Sequence, residues 1–127
     1  MRIVIGKIGL DGHDVGMRLI AKRLTEAGAE VIYLGKRNLP EHFVAVATQD
    51  DAEAIGVGSL TGGLAELTLE LADQLKKQGM SDVRLVAGGI VESDDAARLE
   101  QRGIATFGPG DSIDDVVAHL LGRSQAS

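Results

Sequence analysis

Ile3-Val4-Ile5-Gly6-Lys7-Ile8-Gly9-Leu10-Asp11-Gly12-His13-Asp14-Val15-Gly16 is the stretch that decides the fold. Arg2 to Ile5 reads as a short buried strand, and Met17, Ile20, Ala21 and Leu24 recur at helical spacing directly after the loop. A strand giving way to a helix through a glycine-rich turn is where open parallel sheets place their ligands. Here that turn carries an imidazole beside a carboxylate. A neutral imidazole binds a transition metal through one ring nitrogen, while a carboxylate on the other nitrogen fixes the tautomer and makes the ligand more basic. Lys7, four residues before Asp11, is placed to orient that carboxylate in turn.

Working outward, short apolar runs alternate with helical periodicity along the whole chain, the pattern of a parallel sheet wound with helices. The strands are expected at Arg2 to Ile5, Glu30 to Leu34, Ala54 to Val57, Arg84 to Ala87 and Ile104 to Phe107. The first helix closes at Gly28. Pro40 sits in the first turn of a second helix carrying Phe43, Val46 and Ala47. Leu64, Leu67, Leu71 and Leu75 mark a third helix ending near Gly79, their stripe read as core. Ser93, as a cap, and Asp94-Asp95 open a fourth, and Asp111 or Ser112 caps a fifth with Ile113, Val116, Val117 and Leu120 facing inward. The expected architecture is a single α/β domain over 1–127, flavodoxin-like (Rossmann-like), a doubly wound five-stranded parallel sheet in the order 2-1-3-4-5, with 122–127 a frayed tail.

Composition narrows the function classes. With 44% hydrophobic residues but only one Tyr, two Phe and no Trp, the core must be aliphatic, which suits buried parallel strands. A net charge of -6 argues against a nucleic-acid backbone as partner. No apolar run is long enough for a membrane span, and no targeting segment precedes the first strand, so a cytoplasmic location is expected. The absence of cysteine removes disulfides, zinc thiolate sites and thiol catalysis.

In the order 2-1-3-4-5 the turns after strands one, three and four line up on the carboxyl edge, and they are the unusual ones: Lys7 to Gly16, Gly56 to Gly63, and Ala87-Gly88-Gly89-Ile90-Val91. Glycine there lets a flat or bulky ligand approach the main chain. Gly28, Gly79 and Gly103 are read as ordinary turn glycines.

Lys7-Ile8-Gly9-Leu10-Asp11-Gly12-His13-Asp14 with Gly16 resembles the signature of the cobalamin-binding domains of acyl-CoA mutases of the methylmalonyl-CoA mutase type. The resemblance covers nearly the whole chain. It implies that the corrin lies across the carboxyl edge, that the histidine replaces the cofactor's dimethylbenzimidazole as lower cobalt ligand, and that the displaced nucleotide tail enters beside the third and fourth strands. On that resemblance His13 is the cobalt ligand, Asp11 its hydrogen-bond partner and Lys7 the partner of Asp11. None of the three acts as an acid or base; they tune the cobalt. Gly12 and Asp14 flank the ligand, and Gly16 allows close packing where the tail enters. Gly58, Ser59, Leu60 and Thr61, with Gly88 and Gly89, belong to the tail region, and Gly108-Pro109-Gly110 matches the family's final turn.

The implied activity is radical carbon-skeleton isomerisation of an acyl-CoA with adenosylcobalamin. These 127 residues hold no barrel for the substrate, so the chain is expected to be a small subunit serving a separate large, substrate-binding subunit. Methylmalonyl-, isobutyryl- and 2-hydroxyisobutyryl-CoA are equally compatible. Two departures stand out. The family usually has a serine, bonded to the displaced base, where this chain has Gly58, so either that contact is lost or Ser59 or Thr61 replaces it. Val15 stands where many relatives carry a basic residue. The rival readings are a corrinoid carrier for methyl transfer, which usually bears a helical cap before this domain, and a glutamate-mutase-type small subunit. A phosphorylated receiver domain would need an acceptor aspartate where Val57-Gly58-Ser59 stands, and the spacing of Gly6, Gly9 and Gly12 does not fit a dinucleotide fingerprint.

Overall fold

The computed structural model describes residues 1–9, 15–59, 63–89, 91–108 and 110–122. Strands β1 (Arg2–Ile8), β2 (Glu30–Asn38), β3 (Ala54–Ser59), β4 (Arg84–Gly89) and β5 (Ala105–Phe107) form one parallel sheet in the order β2-β1-β3-β4-β5. Helices α1 (Val15–Glu26), α2 (Pro40–Asp50), α3 (Leu64–Lys77), α4 (Ser93–Gln101) and α5 (Ile113–Leu120) alternate with them. Both the expected fold class and the expected strand order are what the chain adopts. Among the described residues no helix is long and apolar enough to cross a membrane.

Alternation along the strands splits the core into two layers. Val4, Ile8, Ile55, Val57, Leu85 and Ala87 face α2, α3 and α4, where Phe43, Ala47, Leu71, Leu75 and Leu99 close over them. Ile3, Ile5, Ala54 and Val86 face α1 and α5, under Met17, Leu24 and Leu120. Each fully buried aliphatic side chain contributes roughly 1.5–3 kcal/mol relative to exposure, so these layers are the main support of the fold.

The strand ends differ from expectation in one consistent way. β1, β3 and β4 run on through Ile8, Ser59 and Gly89, so Lys7, Gly58, Ser59, Gly88 and Gly89 are strand residues and not loop residues. β2 continues to Asn38, with two irregularities in its register against β1, between Ile5 and Gly6 and between Gly6 and Ile8. A parallel ladder joins backbone to backbone and needs no side chain to continue. The fourth helix has Glu92 in the cap position, and Ser93 is its first helical residue, with no side-chain cap bond. In the fifth, Ser112 is the cap: its Oγ accepts from the Asp114 N–H at 3.1 Å.

Candidate functional site

In this topology every helix returns against its strand, so the N-termini of all five described helices lie toward the carboxyl edge of the sheet. Their unpaired N–H groups favour electron-rich ligands there. First-turn carboxylates, including Glu41, Glu66, Asp94 and Asp114, share that edge.

On the α1/α5 face at this edge, three positions of β3 and β4 carry no side chain. Gly56 and Gly58 of β3 and Gly88 of β4 share this face, and Gly58 pairs with Gly88 across the strands. The space above them is filled in steps. A Cβ on Gly56 would sit 3.3 Å from Leu120 Cδ2, so α5 already closes that position. At Gly58 the end of Met17 from α1 has moved in, its Cε 2.5 Å from where a Cβ would be. At Gly88 nothing among the described residues lies near but the Phe107 carbonyl, 3.8 Å away. The result is a narrow slot at Gly88, left uncovered by the described side chains.

Lys7 stands beside Gly58. It is 6% exposed, and its Nζ lies 3.6 Å from the Cβ position of Gly58 on the neighbouring strand, opposite which it pairs. An ammonium this far from water has to be compensated by a charge or by hydrogen bonds. Gly89 shows how close the strands approach: its φ is +143°, and a Cβ there would fall on the Ser59 carbonyl oxygen. Only glycine fits this position. Gly108 and Gly110 lie in the turn after β5, where the Gly108 N–H donates to Asp111 Oδ2 at 2.7 Å. Nothing lies within 4 Å of a Cβ built on Gly16, so no contact within the described chain demands glycine there.

The structure therefore brings Lys7, Gly58, Ser59, Gly88, Gly89 and Gly108 to one edge. Asp11, Gly12, His13, Asp14, Leu60, Thr61 and Pro109 lie outside the described residues, with Asp11 to Asp14 in the connection between β1 and α1. Of the other two histidines, His42 accepts the Leu39 N–H on Nδ1 at 3.0 Å at the start of α2, and His119 stacks edge-on against Phe107. Ser59, 1% exposed, is on the α2/α3 face, opposite Gly58. Two residues at this edge escaped the sequence reading as site residues. Met17 was recognisable only as an apolar helix position, and Asn38 carries no motif at all.

Backbone left uncovered at Gly88, with the buried cation of Lys7 beside neighbouring Gly58, gives a ligand room to approach the carboxyl edge of the sheet. The comparisons with known proteins agree. The B12 binding domain family matches residues 1–118. Methylmalonyl-CoA mutase of Escherichia coli K12 is 39% identical over 121 residues, 94% of this chain and 17% of the relative, so the chain spans about a sixth of that protein's length. The 2-hydroxyisobutanoyl-CoA mutase small subunit of Aquincola tertiaricarbonis is 36% identical over 104 residues, 82% of this chain and 76% of the relative. Among solved structures, a cobalamin-binding protein from Desulfitobacterium hafniense DCB-2 superimposes with a TM-score of 0.81 at 22% identity, covering 97% of this chain and 58% of that one, a likeness that speaks for the fold. With the family matched over nearly its whole length, this chain belongs to the B12-binding domain family.

Proposed function

We propose that this chain, as one domain over residues 1–127, is the cobalamin-binding small subunit of an adenosylcobalamin-dependent acyl-CoA mutase, working in the cytoplasm with a separate large subunit that binds the acyl-CoA. The uncovered backbone at Gly88, next to Gly58 and the buried Lys7, is the observation that supports it most directly. The likeness to a mutase small subunit over 76% of that relative's length supports the division into two subunits.

When bound, adenosylcobalamin supplies the radical for carbon-skeleton isomerisation. The protein's share is orientation and electrostatics. His13 would hold the cobalt through a neutral ring nitrogen, Asp11 would hold the other ring nitrogen, and Lys7 would hold Asp11 in place. Gly88 would give the nucleotide tail access to the backbone beside Gly58, with Leu60, Thr61 and the Gly108-Pro109-Gly110 turn around it.

The test is spin resonance of the Co(II)-cobalamin complex in nitrogen-15-labelled protein. Coupling to a protein nitrogen is expected in the wild type and lost in His13→Ala, while Asp11→Asn should weaken binding by about 10- to 100-fold. Bound cobalamin without that coupling refutes the ligand. The chain alone should not isomerise methylmalonyl-, isobutyryl- or 2-hydroxyisobutyryl-CoA, and activity should appear on adding an acyl-CoA mutase large subunit. Turnover by this chain alone would overturn the division of labour.

A further inference from the structure

The carboxyl end of β2 is built irregularly around one side chain. Asn38 is half-buried, and its Nδ2 donates to the Lys7 carbonyl at 3.1 Å and the Gly35 carbonyl at 3.2 Å, with the Leu34 carbonyl at 3.4 Å. Three carbonyls around one atom settle which end of the carboxamide is the nitrogen, because an oxygen there would face only acceptors. The backbone of the same residue holds a second point: the Asn38 carbonyl accepts the Gly9 N–H at 2.7 Å. Asn38 thus grips β1 and the residue after it, at Lys7 and Gly9, immediately before the stretch of sequence that carries His13.

Several features of the sequence serve this grip. Gly6 makes room for it, since a Cβ there would lie 3.3 Å from Asn38 Nδ2 and 3.0 Å from Leu34 Cβ. Arg37, directly before Asn38, has φ 58°, a left-handed conformation that is costly for a residue with a side chain. The register between β1 and β2 slips twice over the same stretch. A regular edge strand would cost less, so the distortion calls for a return elsewhere.

We propose that Asn38 is a positioning residue for the cobalt ligand: by fixing the backbone of Lys7 and Gly9 it sets the point from which the chain continues toward His13, and so how His13 meets cobalt. The proposal rests on the reading of His13 as lower ligand. Asn38 touches neither cofactor nor substrate in this role; it acts through the backbone of β1.

The experiment compares wild type, Asn38→Asp, Asn38→Gln and Asn38→Ala, first without cofactor and then with Co(II)-cobalamin. Asn38→Asp keeps the shape but replaces the donor with an acceptor facing three carbonyls. Asn38→Gln keeps a donor on a longer arm. In the cofactor-free protein, amide exchange at Gly9 should quicken about tenfold or more in Asn38→Asp, while the Val57 amide in β3 stays protected. In the complex, the fraction of cobalt coupled to a protein nitrogen should fall by at least half in Asn38→Asp and recover in Asn38→Gln. If Asn38→Asp does not fold, Asn38→Ala, which removes the donor without adding charge, carries the same expectation. A purely structural residue would lower the melting temperature and leave the nitrogen coupling per bound cobalt unchanged, and that result overturns the proposal. Absence of coupling in the wild type overturns the His13 reading and this proposal with it, whereas coupling equal in wild type and the folded donor-less variants overturns the proposal alone.

Discussion

Gly58→Ser is the substitution on which the site's packing and its chemistry meet. A Cβ at residue 58 would lie 2.5 Å from Met17 Cε, 3.4 Å from the Gly88 carbonyl oxygen and 3.6 Å from Lys7 Nζ. The methyl has to retreat by about 1 Å to regain ordinary carbon–carbon separation. Met17 is unbranched and yields by rotation, at an off-rotamer cost of roughly 0.5–1.5 kcal/mol, with overpacking in a stiffer site costing about 1–3. The new hydroxyl lies within reach of Lys7 and returns about 0.5–1.5 kcal/mol as one hydrogen bond. The two effects nearly offset, so the cofactor-free protein should lose no more than about 1 kcal/mol. Met17→Ala should cost about 2 kcal/mol or more by itself, since it opens a cavity in a buried position. In that background Gly58→Ser should become neutral or stabilising, giving a coupling of about 1 kcal/mol by urea unfolding of the four proteins. Titration with complete cobalamin and with tailless cobinamide reads the ligand side: the double variant should hold the complete cofactor tighter by about 0.5–1.5 kcal/mol and leave cobinamide unchanged. Equal cost of Gly58→Ser in both backgrounds refutes the steric argument, and equal effects on both corrinoids refute the placement of the tail beside Gly58.

Gly89→Ala should destabilise by about 3 kcal/mol or more, because its Cβ would fall on the Ser59 carbonyl and part the ends of β3 and β4; a urea midpoint within about 1 kcal/mol of wild type contradicts this. Asp51 holds φ 54° at the end of α2, so Asp51→Gly should stabilise by about 0.5–1 kcal/mol, seen as a higher melting temperature. Glu30 is held below its ordinary value of 4.5 by the hydrogen bond from Arg2 and then by that residue's charge. A lowered folded-state value means that the pair's contribution is complete above the unfolded value and disappears as pH falls through the lower, folded one. Carboxyl titration by NMR should show Glu30 below 4.5 in the wild type and back near it in Arg2→Gln, and because both groups are exposed, half-molar salt should shrink the difference.

Fold and loop order were legible because aliphatic strands and leucine stripes are periodic. The strand ends were not. Gly6-Lys7, Gly58-Ser59 and Gly88-Gly89 read as loop by propensity, since glycine offers a strand nothing to pack. The ladder nevertheless continues through them, with Lys7 opposite Gly58 and Ser59 opposite Gly89. No propensity announces a left-handed Arg37, and so the Asn38 contacts with β1 were out of reach. The cap at Ser93 was misplaced by one residue, as Ser and Asp attract a cap assignment whether or not an oxygen reaches a backbone N–H.

Parity is what the sequence left open, and it bears on the missing serine. Successive strand residues point to opposite faces, so Ser59 and Gly58 cannot exchange roles without a shift that would also turn Ile55 and Val57 out of the core. Ser59 is buried on the α2/α3 side, and a hydroxyl for the slot has to come from elsewhere. Beside Gly88 the edge is thus bare of side chains among the described residues, and bareness is costly. A side chain at Gly88, where only the Phe107 carbonyl lies near among the described residues, would bury surface worth roughly 1.5–3 kcal/mol, whereas at Gly58 the end of Met17 already takes the place. That is a sizeable part of the roughly 5–15 kcal/mol by which a domain is ordinarily stable. On the opposite face Ile55, Val57, Leu85 and Ala87 are buried, and its edge glycines are closed in, Gly6 by Leu34 and Asn38 and Gly89 by Ser59. One-sided loss of packing at the carboxyl edge marks a surface completed by a ligand, whose binding returns as stability what the glycines withhold.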